Sequence, residues 1–97
     1  MITRHGREGF YYVYVIENDH DLSWYIGFTI NFGKRLQEHN SGKSPYTSRK
    51  QGKRRVIYAE CYLSKKDALS REEFLKSGSG RRFLKNQLKN YLHATPL

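Results

Sequence analysis

The sequence predicts a single α+β domain with elements in the order β-β-α-β-α-α, and three observations carry that prediction. Three short runs are dense in aromatic and β-branched residues, the composition of strands: 10–16 (FYYVYVI), 24–26 (WYI) and 56–62 (VIYAECY). Three further segments carry apolar residues at helical spacing. The chain has 97 residues, enough for one modest core and not for two. The domain is expected over 10–92, behind a polar, unpatterned tail over 1–9 that reads as flexible.

In the first strand, alternation puts Tyr12, Tyr14 and Ile16 on one face and Tyr11, Val13 and Val15 on the other. The run 17–21 (ENDHD) is a turn, so the strand at Trp24 folds back antiparallel and brings Tyr25 toward Tyr14 across the ladder. Gly27 is expected to end that strand. Asn31 caps the first helix and Gly42 suits its C-terminal stop. On that helix Phe32, Leu36 and His39 share a face, with Arg35 beside them, so an arginine and a histidine project from the stripe that packs on the sheet. A buried cation is unfavourable unless paired, and such a polar pair marks a candidate site. Ser64 opens the second helix in capping-box spacing with Asp67. Its apolar face comprises Ala68, Leu69 and Leu75; Glu72 falls within that face and Glu73 rotates toward solvent. This offers an inward carboxylate opposite Arg35 and His39, with a structural Glu72–Arg35 ion pair as the plainer reading. The run 77–80 (SGSG) is expected to break the chain before a third helix carrying Leu84, Leu88, Tyr91 and Leu92 on one face.

Eighteen Lys and Arg against nine Asp and Glu give a formal charge of +9. That excess attracts polyanions, of which nucleic acid is the commonest for a small soluble protein. The densest basic run, 41–55 (SGKSPYTSRKQGKRR), contains no acid and reads as a loop. Its Lys43, Arg49, Lys50 and Lys53 suit phosphates, and Tyr46 can stack on a base. The lone cysteine, Cys61, has no partner for an internal disulfide and is expected to be a buried strand residue. No stretch is long or apolar enough to cross a membrane, and no signal-peptide pattern precedes the first strand, so a cytoplasmic setting is expected.

These pieces together resemble the GIY-YIG nuclease family, in its small stand-alone bacterial form. Val13-Tyr14 stands where the family has the Ile-Tyr of its first motif, and Tyr25-Ile26-Gly27 matches the second motif in full. Arg35 matches the family's arginine on the following helix, His39 a frequent histidine one turn later, and Glu72 the metal-binding glutamate. Tyr12 stands where the first motif has glycine. The resemblance implies three antiparallel strands flanked by helices, and hydrolysis of DNA phosphodiesters with one divalent metal, Mg²⁺ or Mn²⁺. It implies a metal ligand in Glu72, a phosphate clamp in Arg35, and a general base among Tyr14, Tyr25 and His39. Lys34 and Lys43 are candidate phosphate contacts. The implied role is an endonuclease of repair or recombination, with any strong sequence specificity left to a partner protein. The alternative is a non-catalytic nucleic-acid-binding domain on the same fold.

Overall fold

A computed structural model of the chain describes residues 9–41 and 52–94. The hairpin expected from the aromatic runs forms from β1 (Tyr11–Asn18) and β2 (Trp24–Thr29). A first helix, α1 (Phe32–Asn40), precedes β3 (Arg54–Tyr62), and α2 (Lys65–Lys76), α3 (Gly78–Gln87) and a single turn, α4 (Lys89–Leu92), follow. The three strands form one antiparallel sheet in the order β2-β1-β3, so β1 is central and both its neighbours are edges.

The alternation of β1 divides the molecule. Val13 and Val15 form the core with Ile26 of β2, Ala68 and Leu75 of α2 and Leu84 of α3. Tyr14 turns to the other face, where its ring packs against Phe32 and His39 of α1. Two helices therefore cover one face of the sheet and α1 covers the other. The capping residues behave as their chemistry requires. The Asn31 side chain accepts from the Lys34 N–H and the Ser64 side chain from the Asp67 N–H, each satisfying a donor that the first helical turn leaves unpaired.

Five local expectations are corrected. Gly27 does not end β2 but lies within it, opposite Tyr14. The run 77–80 does not interrupt the helices with a loop. Ser77 closes α2 and caps α3 through a bond from the Gly80 N–H, so the glycines enter the first turn of α3. Gly80 has to be glycine there, because a side-chain carbon would run into the Phe74 carbonyl and stand 2.5 Å from Leu75 Cα. The third helix is also shorter than its apolar stripe suggests: it stops at Gln87, and Tyr91 and Leu92 on α4 remain exposed. Leu69 is exposed as well, leaving Ala68 and Leu75 to bury the face of α2. Cys61 is exposed rather than buried, because β3 is an edge strand and Cys61 pairs with Tyr12 on the face that carries only the short α1. Gly42 and residues 1–8 lie outside the described residues.

Candidate active site

The residues singled out on β1, β2 and α1 meet on one face of the sheet. Tyr14 lies opposite Gly27 in the ladder and Tyr25 opposite Ile16, so both phenol rings point to the side of α1. Their centroids are 6.2 Å apart, and the His39 ring lies 4.7 Å from that of Tyr25. The absence of a side chain at Gly27 makes this possible: a Cβ there would stand 2.6 Å from Tyr14 Cζ and 2.8 Å from Tyr25 Cε1. Tyr12, in the place of the first motif's glycine, is accommodated by packing its ring on Phe32 at 5.5 Å.

The Tyr14 hydroxyl is the hub. Arg35 Nε donates to it at 3.3 Å, and His39 Nε2 lies 3.1 Å away. Both Tyr14 and His39 are essentially inaccessible to water. Burial pushes the Tyr14 phenol up to about 12, with the hydrogen bond from Arg35 opposing it and the Glu72 carboxylate acting in the same direction as burial. Burial lowers the pKa of His39 to about 4, helped by the cations of Arg35 and Arg54, so its imidazole is neutral near neutral pH. The ordinary histidine value near 6.5 does not survive this environment. Burial works against the Arg35 guanidinium, but its hydrogen bonds to Tyr14 and Tyr25 outweigh that penalty and hold its pKa above the usual value.

Arg35 also makes an ion pair at 3.3 Å with Glu38, a residue absent from the sequence expectations although its i+3 spacing announces it. Thr29, Asn31, Lys34, Arg35 and Glu38 line a depression of 340 Å³, so Lys34 stands beside Arg35 at its rim.

Glu72 reaches the cluster differently from the way the wheel suggests. Its helix packs on the opposite face of the sheet, against Val13, Val15 and Ile26, so Glu72 does not stand across a shared face from Arg35. The side chain is largely buried, at 19% exposure, while Glu73 is exposed as expected. The ion partner of Glu72 is Lys76 at 3.3 Å, not Arg35. Its charge is nevertheless felt at the Tyr14 hydroxyl. Among the described residues, no three His, Cys, Asp or Glu side chains converge in a metal cage. A Mg²⁺ ion does not need one, because it uses one or two carboxylates and completes its shell with waters and substrate phosphate oxygens. A single hard oxygen donor such as Glu72 is compatible with that pattern, with Lys76 as the cation that a metal would displace.

Lys53 does not join the cluster. Its backbone is pinned to the β1–β2 turn by bonds with Asp19, at the end of α1 where Asn40 bonds the Arg54 backbone. Lys43, Tyr46, Arg49 and Lys50 lie outside the described residues.

The family model of the GIY-YIG catalytic domain matches residues 10–87, which include every member of this cluster. The chain belongs to the GIY-YIG family. Among relatives of this GIY-YIG protein, a UPF0213 protein from Streptococcus pneumoniae is 43% identical over 65 residues, 67% of this chain and 65% of that one. The chain therefore spans just under two thirds of that relative's length. A UPF0213 protein from Haloquadratum walsbyi is 35% identical over 68 residues, 70% of this chain and 75% of that one. The solution NMR structure of a UPF0213 protein from Bacillus halodurans superposes with a TM-score of 0.50 at 34% identity, covering 90% of this chain and 88% of that one. The GIY-YIG fold is thus common to this chain and that solved relative.

Proposed function

We propose that this GIY-YIG protein is a metal-dependent endonuclease that hydrolyses DNA phosphodiesters. The observation that carries the proposal is the convergence of Arg35 Nε and His39 Nε2 on one buried tyrosine hydroxyl, within reach of the Glu72 charge. A structural core gains nothing from placing an arginine, a neutral imidazole and a carboxylate around a phenol. A phosphoryl-transfer site has a use for them: a cation for the phosphate, a carboxylate for a metal ion and polar groups that position both.

Arg35 takes the phosphate at the depression it shares with Lys34, exchanging its Glu38 partner for the phosphate oxygens and countering charge that grows in the transition state. Tyr25, also hydrogen-bonded to Arg35, holds the guanidinium in place. Arg35 donates to the Tyr14 oxygen, and the hydrogen bond between that hydroxyl and His39 Nε2 fixes it beneath the guanidinium. The proton of the attacking water falls to the partly exposed Tyr25, because the Tyr14 hydroxyl and the His39 imidazole are closed off from water. Glu72 would hold Mg²⁺ or Mn²⁺, which when bound supplies a Lewis acid for a phosphate oxygen and favours ionisation of water.

The test compares Glu72→Gln with Glu73→Gln at matched folded concentration, using labelled DNA in Mg²⁺ and in EDTA. The first substitution is expected to abolish metal-dependent cleavage and leave binding intact, and the second to change little. The two residues are adjacent and chemically alike, so equal activity in the two variants removes Glu72 from the mechanism. Binding with no cleavage by the unaltered protein would instead favour the non-catalytic reading.

A further inference from the structure

Beside the tyrosine cluster, along the open edge of β2, lies a second cavity of 420 Å³ lined by Trp24, Tyr25, Ile26, Lys76 and Arg81. Its charged lining residues are both cations, and they stand next to an indole. Trp24 is held by its edge: the indole N–H donates to Glu17 at 3.0 Å, which fixes the ring while its body packs against the core. The Arg81 guanidinium lies 5.9 Å from the indole centroid, within range of a cation–π contact but not closely packed on it. Lys76 joins the cavity to the candidate metal ligand through its ion pair with Glu72, and Tyr25 joins it to the Tyr14–His39 cluster. A tethered aromatic platform flanked by cations suits a ligand with one flat face and one anionic group.

We infer that this cavity is a subsite for an unpaired nucleotide adjoining the scissile phosphate, with its base against Trp24 and its phosphate on Lys76 and Arg81. The inference rests on the nuclease reading above and narrows its substrate to DNA with unpaired nucleotides at the cut, in preference to continuous duplex. The physical reason is access. Within a duplex both faces of each base are covered by its neighbours, so only an unstacked base can present a face to an indole fixed in a cavity.

Trp24 is the only tryptophan in the chain, so its emission reports the subsite directly. The experiment titrates the protein, in EDTA, with a single-stranded oligonucleotide and with the same sequence as a continuous blunt duplex, while anisotropy of labelled DNA establishes saturation. The single strand is expected to quench Trp24 and the saturating duplex to leave it unchanged. Trp24→Leu should weaken single-strand binding by about tenfold, the scale of one lost stacked base. Trp24→Phe, which keeps an aromatic face, should recover most of that loss, and Arg81→Ala should weaken the single strand more than the duplex. Equal quenching by both DNAs, or saturated single-strand binding without quenching, overturns the inference. Cleavage of duplex in Mg²⁺ with no quenching by either DNA leaves the nuclease reading standing and removes the subsite. Quenching by the single strand with no cleavage in Mg²⁺ or Mn²⁺ removes the nuclease reading and leaves a single-strand binding site.

Discussion

Lowering the pH tests the environment of His39 without assuming any activity. The imidazole is fully buried, bonded to the Tyr14 hydroxyl and placed near the cations of Arg35 and Arg54, and its pKa falls from 6.5 to about 4. The folded protein therefore takes up this proton less readily than the unfolded chain. Above the unfolded value neither state is protonated and His39 has no effect on stability. As the pH falls from there toward the folded value, the unfolded chain gains the proton first, so stability falls with pH. Between about pH 7 and about pH 5 the linkage relation gives a loss of about 2 kcal/mol from this residue alone. For a domain of this size that corresponds to a fall in Tm of roughly 8–16 °C. The carboxyls of Glu17 and Glu60 are held below their ordinary value by hydrogen bonds that outweigh burial, so their contributions are lost at still lower pH. The assay is thermal or urea unfolding followed by circular dichroism over this range, with His39→Gln in parallel. The variant should show a much flatter dependence, since its buried amide does not titrate. The same slope in both proteins would refute the assignment of a depressed pKa to His39.

Further outcomes follow from the same geometry. Gly27→Ala forces the Tyr14 and Tyr25 rings apart from its new methyl group, at a cost of about 1–3 kcal/mol, and cleavage at matched folded concentration should fall further than stability; wild-type cleavage would show that the rings need not hold this arrangement. Gly80→Ala pushes α3 off the α2 backbone and should destabilise by about 3 kcal/mol, whereas Gly78→Ala, whose nearest neighbour is 3.8 Å away at the tip of Arg82, should stay within about 0.5 kcal/mol; comparable urea midpoints for the two variants would contradict the close helix approach. Replacing Arg49, Lys50 and Lys53 together with alanine should leave the Tm nearly unchanged and flatten the salt dependence of DNA binding by about one unit of slope per lost phosphate contact; an unchanged slope would mean that these cations do not touch DNA.

Much of this GIY-YIG domain is written in local pattern. Alternation along β1 decides that Tyr14 and Val13 part company, helical spacing sets Arg35 and His39 on one stripe, and Asn31 and Ser64 cap helices because their side chains can accept the first free N–H groups. Those relations depend on the nearest few residues, so the sequence by itself determines them. What the neighbours of each face are depends on long-range packing, and only the tertiary structure decided it. The placement of β1 between β2 and β3 makes both partners edges, which exposes Cys61 and leaves the side of β2 open for the Trp24 cavity. The packing of α3 on α2 turns the run 77–80 from a break into a helix start, because close approach demands glycine at position 80. Glu72 is inward by periodicity, but its pairing with Lys76 and its separation from Arg35 follow from the sheet face on which α2 rests. The depressed pKa of His39 has the same origin. Residue type supplies an imidazole, but desolvation and the distant Arg54 supply its chemistry, and no local pattern encodes either.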